Sequence, residues 1–362
     1  MEKLKVGIIG CGGIANGKHM PALKKMADRV EMVAFCDVIP ERAEKAAKEF
    51  GTPDAKVYTD YKELLKDPEI HNVRVLTPNR WHAEMSIAAM QAGKHVLVEK
   101  PMCITSAEAE AMLAARDATG KVLAVGYQFK FSPEAMYTRA ETELGNFGEI
   151  YFGKCRSLRR RGAPTWGVFS QKSEQGAGPL FDIGTHAIDE MLYVMDNYEP
   201  KMVVGTKYDK MKNNPHCANP FGPWDVEKFD VEDSAFGFVV MKNGATIILE
   251  CSWLLNTIEP TGPKFMLAGT KAGAGNLDGT FKVNTVKHDR QVIEEPNFKV
   301  GGVAFYDGNP APTMQDLEQR NFIDALEGKA QLVNTADRAA VVTRILEGIN
   351  ISAETGKPVY FD

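Results

Sequence analysis

Long apolar runs are missing from this sequence: none approaches the roughly 20 residues that a membrane-spanning helix needs. Paired cysteines are missing too. Cys11, Cys36, Cys103, Cys155, Cys217 and Cys251 are scattered without a single Cys-x-x-Cys. That argues against a zinc ribbon or a redox dithiol and suits reduced thiols in a cytoplasmic protein. There is no basic stripe. The formal net charge is −5, the two signs are mixed throughout, and the one basic triplet, Arg159-Arg160-Arg161, is too short to mark a nucleic-acid-binding face. Met1-Glu2-Lys3-Leu4-Lys5 runs straight into a short strand, so no secretory signal is expected. Internal repeats and low-complexity tracts are absent as well. Neither nucleic acid nor a membrane is an expected partner.

What remains is an ordinary globular composition, 44% hydrophobic and 25% charged over 362 residues, a length that suits two domains. From Leu4 to about Gly126, short runs rich in Val, Ile and Leu alternate with amphipathic stretches. Leu4–Ile9, Glu31–Cys36, Asn72–Leu76, His95–Val98 and Val122–Val125 read as buried parallel strands. Glu41–Phe50, Tyr61–Leu65, Arg80–Ala92 and Ala107–Thr119 read as helices. Gly51, Gly93 and Gly120 each follow one, where a left-handed residue is wanted. The expectation is an α/β Rossmann domain over 1–126, with helices on both faces of a parallel sheet.

Beyond Tyr127 the pattern changes. Helices are expected at Pro133–Leu144, Asp182–Met195, Met314–Leu326 and Ala336–Thr355. Strands are expected at Glu149–Arg156, Ser234–Met241, Ala245–Leu254, Lys264–Leu267, Phe281–Val286 and Pro358–Phe361. Lys242-Asn243-Gly244 between two apolar runs is a hairpin signal. Asn213–Pro223, rich in Pro and Gly, reads as a surface excursion. The segment 127–362 is therefore expected to be an α+β domain with a mainly antiparallel sheet, its last helix free to pack back on the first domain.

The first strand runs into Gly10-Cys11-Gly12-Gly13-Ile14-Ala15, a Gly-x-Gly-x-x-Ala turn opening a helix. The first glycine permits the turn, the second lets backbone approach a pyrophosphate, and the small Ala15 lets helix and strand pack closely. Asp37 ends the second strand, 37 − 15 = 22 residues on, close to the offset at which a carboxylate accepts the ribose hydroxyls of NAD. Arg42 lies near enough to accommodate a 2′-phosphate, so NADP stays open. Glu99-Lys100-Pro101 ends another strand at the carboxyl edge, where ligands bind in open α/β sheets. Asp182, His186 and Asp189 are spaced i, i+4, i+7, one face of a helix.

In this order the motifs resemble the glucose–fructose oxidoreductase / inositol dehydrogenase / rhizopine-catabolism (Gfo/Idh/MocA) family over nearly the whole chain. The likeness rests on Gly10–Ala15 with Asp37, Thr77-Pro78-Asn79-x-x-His82, Glu99-Lys100-Pro101, Gly126-Tyr127 and Asp182-Ile183-Gly184-Thr185-His186. It implies a large open sheet in the second domain that packs against another subunit, as homodimer or homotetramer. It also implies hydride transfer between nicotinamide and a secondary alcohol or ketone of a sugar, glycoside or cyclitol.

Carried over by residue, Lys100 would hydrogen-bond the reacting oxygen, His186 would take the hydroxyl proton, and Asp182 would bind a substrate hydroxyl beside them. Gly10, Gly12, Gly13, Ile14, Asp37, Thr77, Asn79, His82, Glu99, Lys100 and Gln128 would meet the cofactor, and Pro101 would follow a cis peptide bond. Two motifs depart from the family: its Asn-x-Arg reads Gln128-Phe129-Lys130, and its glycine run reads Gly176-Ala177-Gly178-Pro179.

Plainer readings compete. A strand-end lysine is usually solvated, and a helix histidine is usually a satisfied structural group. His82 serves equally as a structural hydrogen-bonder, and Asp189 as a cap. Trp166 is either an aromatic platform for a sugar ring or a loop anchor. The Asp182/His186/Asp189 stripe lacks further ligands at metal spacing, so no metal is expected. Two other functions remain open: a glycosidase that oxidises a sugar carbon transiently with NAD, and a sensor that keeps fold and nucleotide without chemistry.

Overall fold

The computed structural model describes residues 3–298 and 311–361. The chain forms two compact units, Met1–Phe131 with Ala311–Ala340 and Ser132–Pro310 with Val341–Asp362. The sequence places a boundary at 126/127. The first unit runs slightly further and also takes Ala311–Ala340, where Asn334 accepts from Val125 N–H and donates its amide to Tyr127 O at 3.1 Å.

The first unit is built on six parallel strands: β1 (Leu4–Ile9), β2 (Val30–Cys36), β3 (Lys56–Tyr58), β4 (Asn72–Val75), β5 (His95–Val98) and β6 (Leu123–Val125). Their order is β3-β2-β1-β4-β5-β6. Val6, Ile8, Val73, Val75, Val96 and Val98 are fully buried, as a sheet covered on both faces requires. The helices are α1 (Met20–Lys24), α2 (Pro40–Phe50), α3 (Tyr61–Leu65), α4 (His82–Gln91) and α5 (Ser106–Thr119), with α9 (Met314–Leu326) supplied from late in the chain. A capping box between Thr105 and Glu108 starts α5, and another between Thr313 and Asp316 starts α9. Strand order reverses between β1 and β4, the switch point where such sheets open a ligand crevice.

One helix-end expectation is corrected. Gly93 and Gly120 have φ of +81° and +64°, but Gly51 is extended at φ −77°. Glycine is required at 51 for room instead: a Cβ there would stand 2.6 Å from Ala47 O and 2.7 Å from Ala55 Cβ.

The second unit carries a nine-stranded sheet ordered β14-β13-β12-β11-β7-β10-β9-β8-β15. Its strands are β7 (Ile150–Leu158), β8 (Pro200–Tyr208), β9 (Ser234–Met241), β10 (Thr246–Ser252), β11 (Thr261–Gly269), β12 (Gly273–Gly275), β13 (Lys282–Lys287), β14 (Arg290–Glu294) and β15 (Val359–Tyr360). Among the described strands of this sheet only β7 and β10 pair in parallel. Gly244 turns the β9–β10 hairpin at φ +89°.

The other helices of this unit are α6 (Pro133–Glu143), α7 (Lys172–Gln175), α8 (Thr185–Met195) and the greater part of α10 (Ala336–Thr355). Every residue of α8 is buried, the mark of a helix enclosed on all sides. A Cβ on Gly153 of β7 would meet Met191 of α8 at 3.0 Å, so glycine lets helix and sheet close up. The opposite sheet face carries the row Val204–Phe238–Ile248–Lys154–Met266, aligned by register across five strands and partly exposed. No helix among the described residues is long and apolar enough to cross a membrane.

Candidate active site

Gly10 turns at φ +94°, and a Cβ there would lie 2.5 Å from Leu76 O, so only glycine fits. Nothing lies within 4 Å of a Cβ built on Gly12 or Gly13. That open floor precedes a π-helical turn, Ala15–His19, which leads into α1. Asp37 clamps the rim: Oδ2 accepts from Cys11 N–H at 2.8 Å and Oδ1 from Ile39 N–H at 2.9 Å. The carboxylate thus ties the glycine turn to the loop after β2. Burial, then the Asp37 charge, pushes the Cys11 thiol up to about 12, which removes it as a nucleophile. Room for backbone approach, a helical amino end and a fixed carboxylate together fit the pyrophosphate and ribose of a dinucleotide.

Thr77, Asn79 and His82 follow β4. Asn79 is buried at the start of a 3₁₀ turn, Asn79–Trp81. His82 is fully buried, with Nδ1 2.7 Å from Pro101 O and Nε2 2.8 Å from Thr77 O. Burial lowers its pKa, and the neutral ring donates to one of these two carbonyls. His82 therefore ties the loops after β4 and β5 together. The Lys100–Pro101 peptide is cis. Glu99 lies buried beneath that turn, its Oε2 accepting from Lys100 N–H at 3.0 Å. The side-chain oxygen of Gln128 accepts from Lys18 Nζ at 3.1 Å.

In the second unit Asp182 sits on a π-helical turn, Leu180–Gly184, and α-helical winding begins only at Thr185. The sequence spacing presumed one regular α-helix from Asp182 onward. His186 and Asp189 are buried on α8. Two residues that sequence reasoning missed hold this segment. Trp253, after β10, donates its indole N–H to Asp182 Oδ2 at 2.9 Å. Glu232 accepts from Gly178 N–H and Leu180 N–H at 2.9 and 3.1 Å. A Cβ on Gly178 would come within 2.2 Å of Glu232 O, which explains glycine inside the altered run. Burial, then the neighbouring Asp189, drives the Glu190 carboxyl well above its usual range.

Trp166 is 52% exposed and packs edge-on against Phe221, with ring centroids 4.8 Å apart. The excursion expected over 213–223 folds back here: Thr165 Oγ1 donates to Phe221 O, Asn219 to Ala163 O and Arg161 to Cys217 O. Two half-exposed rings thus stand at right angles. Lys100 belongs to one unit, and Asp182, His186 and Trp166 to the other. No group of three His, Cys, Asp or Glu side chains among the described residues is arranged to hold a metal ion.

A six-stranded parallel sheet with this turn and this carboxylate defines a dinucleotide-binding oxidoreductase domain. Residues 4–127 match the oxidoreductase family model with an NAD-binding Rossmann fold, and residues 137–274 match the C-terminal domain model of the same family. The chain belongs to the Gfo/Idh/MocA oxidoreductase family and is an NAD-dependent enzyme.

Among its relatives, the D-glucoside 3-dehydrogenase of Escherichia coli K12 is 32% identical over 362 positions, covering 98% of this chain and 97% of that one. Levoglucosan dehydrogenase of Pseudarthrobacter phenanthrenivorans is 30% identical over 274 positions, 70% of this chain and 68% of that one. A solved levoglucosan dehydrogenase with NADH and L-sorbose shares the fold at a TM-score of 0.83 and 25% identity, each chain covered fully.

Asp37→Ala is expected to weaken NAD binding and to relax discrimination against NADP, since it removes the carboxylate charge at the rim and the clamp on Cys11 N–H. Fluorescence titration with NADH and NADPH checks this; equal affinities in the unmodified protein would contradict it.

Proposed function

We propose that the protein is a dehydrogenase of D-glucosides or closely related pyranosides, oxidising a secondary ring hydroxyl. The observation that carries this is the full-length similarity to the D-glucoside 3-dehydrogenase, which spans both units rather than the nucleotide domain alone. Bound NAD supplies the hydride acceptor. The protein's own groups handle the oxygen and the proton: Lys100 donates to the reacting oxygen and offsets the negative charge that builds there, while His186 accepts the hydroxyl proton. Asp182, its Oδ2 engaged by Trp253, takes a neighbouring hydroxyl or orients the base. Gly12, Gly13, Asp37, Thr77 and Asn79 serve the cofactor.

Trp166 with Phe221 offers a perpendicular aromatic corner, and aromatic faces suit the C–H faces of a pyranose. Trp166→Ala should raise KM for the sugar three- to tenfold, about 1 kcal/mol of ring contact, and leave KM for NAD unchanged. Parallel changes in both constants would make it a loop anchor. The partly exposed row from Val204 to Met266 supports assembly with a second copy as homodimer or homotetramer, and the free cysteines suit a cytoplasmic setting.

The function is tested with purified protein, NAD and a panel of alkyl and aryl glucosides, free hexoses and inositols. Reduced nicotinamide should appear fastest with a glucoside; a clear preference for an inositol would overturn the proposed substrate class.

A further inference from the structure

Beneath the Lys100 turn lies a buried polar chain that none of the roles above requires. Lys18, His19, Asn72, Arg74, Glu99, Glu318 and Gln319 are all buried in the first unit. Arg74, on β4, donates from Nε to Gln319 Oε1 at 2.8 Å and from Nη1 to Asn72 Oδ1 at 2.6 Å. A guanidinium only donates, so the oxygen end of the Gln319 amide is settled. Its nitrogen then faces His19 Nδ1 at 3.0 Å, and that ring atom must accept. The proton of the ring is therefore on Nε2, which donates to Glu99 Oε1 at 2.7 Å. Lys18 Nζ donates to the same oxygen at 2.6 Å and forms an ion pair with Glu318 Oε2 at 3.0 Å. Glu99 Oε2 is left for the backbone N–H of Lys100.

From Arg74 Nε through Gln319 and His19, each successive donor points toward Glu99. Burial alone would raise the Glu99 carboxyl, but Lys18, His19 and Lys100 outweigh it and hold the group well below the usual range. Burial and the neighbouring Lys18 lower His19 to about 4, in keeping with a neutral ring. A carboxylate gripped by Lys18 and His19 on one oxygen cannot rotate without breaking both bonds, so its second oxygen is a fixed acceptor for the lysine backbone.

We propose that His19 and Gln319 are positioning residues for Lys100: the chain Arg74–Gln319–His19–Glu99 fixes the backbone from which the lysine reaches the reacting oxygen. This rests on the role given to Lys100 above. It also gives α9, which arrives more than 200 residues after β5, a part in orienting the lysine.

Two measurements test it. In the unmodified protein, nitrogen NMR of the histidine rings should show His19 as the Nε2–H tautomer throughout the neutral range. The Nδ1–H tautomer or an imidazolium there would reverse the chain and overturn the proposal. In kinetics, His19→Phe, which cannot donate to Glu99, should lower kcat about tenfold or more, the scale of losing a partner that orients an active group. KM for NAD should stay within about twofold, and the Lys100 amide should lose its protection from hydrogen exchange. His19→Gln, whose Nε2 can reach where the ring nitrogen stood, should restore most of kcat and the protection.

A folded His19→Phe with unchanged kcat and a protected Lys100 amide would overturn the proposal, as would failure of His19→Gln to rescue. If the phenylalanine variant does not fold, Gln319→Met is read in the same way. The tautomer and the amide protection do not depend on what Lys100 does. An active Lys100→Met would therefore contradict the reaction assignment while leaving these two readouts to decide the positioning.

Discussion

Lys100→Met should bind NADH with near-normal affinity and lose about 10²–10³-fold or more in turnover. The reason is a separation visible within the first unit. Lys100 is held through its backbone N–H, which donates to Glu99, and methionine keeps that bond. The glycine turn and its clamp are set by Gly10, Asp37, Cys11 and Ile39, so the substitution leaves that part of the nucleotide site in place. In the role proposed for Lys100, the substitution removes the cation that offsets charge on the reacting oxygen. Stopped-flow turnover alongside NADH titration separates the two effects. A variant that keeps most of its activity removes lysine from the chemistry, and one that loses NADH gives it a binding role instead.

His186→Ala should lower the maximal rate by about 10²–10⁴-fold and erase one limb of the pH–rate profile. In the base role proposed for His186, oxidation needs its neutral imidazole, so the rate should rise with pH. Reduction of the ketone product needs the protonated ring and should show the opposite slope. The substitution falls on α8, whose surroundings are well specified: Glu232 holds the turn before it and Trp253 fixes Asp182. The Asp182 carboxylate and the start of the helix should thus persist. An unchanged pH profile would place the base elsewhere, with Lys100 as the next candidate.

How far such roles can be read from sequence depends on the range of the interactions. The hairpin at Lys242-Asn243-Gly244 and the helices Met314–Leu326 and Ala336–Thr355 were legible because turn chemistry, caps and apolar period agree locally. Strand β8 was not. It begins with Pro200 and is interrupted by Gly205, whose missing side chain makes sense only against Ile349 O, 2.5 Å from where a Cβ would be. Strand β3 was missed because Lys56 and Val57 lie exposed at a sheet edge and carry no apolar pattern.

The site divides in the same way. Gly10–Ala15, Asp37 and Glu99-Lys100-Pro101 announce themselves because a phosphate turn and a strand-end cation are local motifs. Trp253 holds Asp182 across 71 residues and Gln319 sets the His19 tautomer across 300, and neither pairing leaves a trace in spacing.

The central claim, net oxidation of a glucoside by NAD, is tested most directly with a p-nitrophenyl glucoside, which reports on two chromophores at once. Reduced nicotinamide should accumulate in step with oxidised glycoside while no p-nitrophenolate is released. Release of p-nitrophenolate with no net reduced nicotinamide would contradict the account, because the protein would then be oxidising the sugar only transiently in order to break the glycosidic bond.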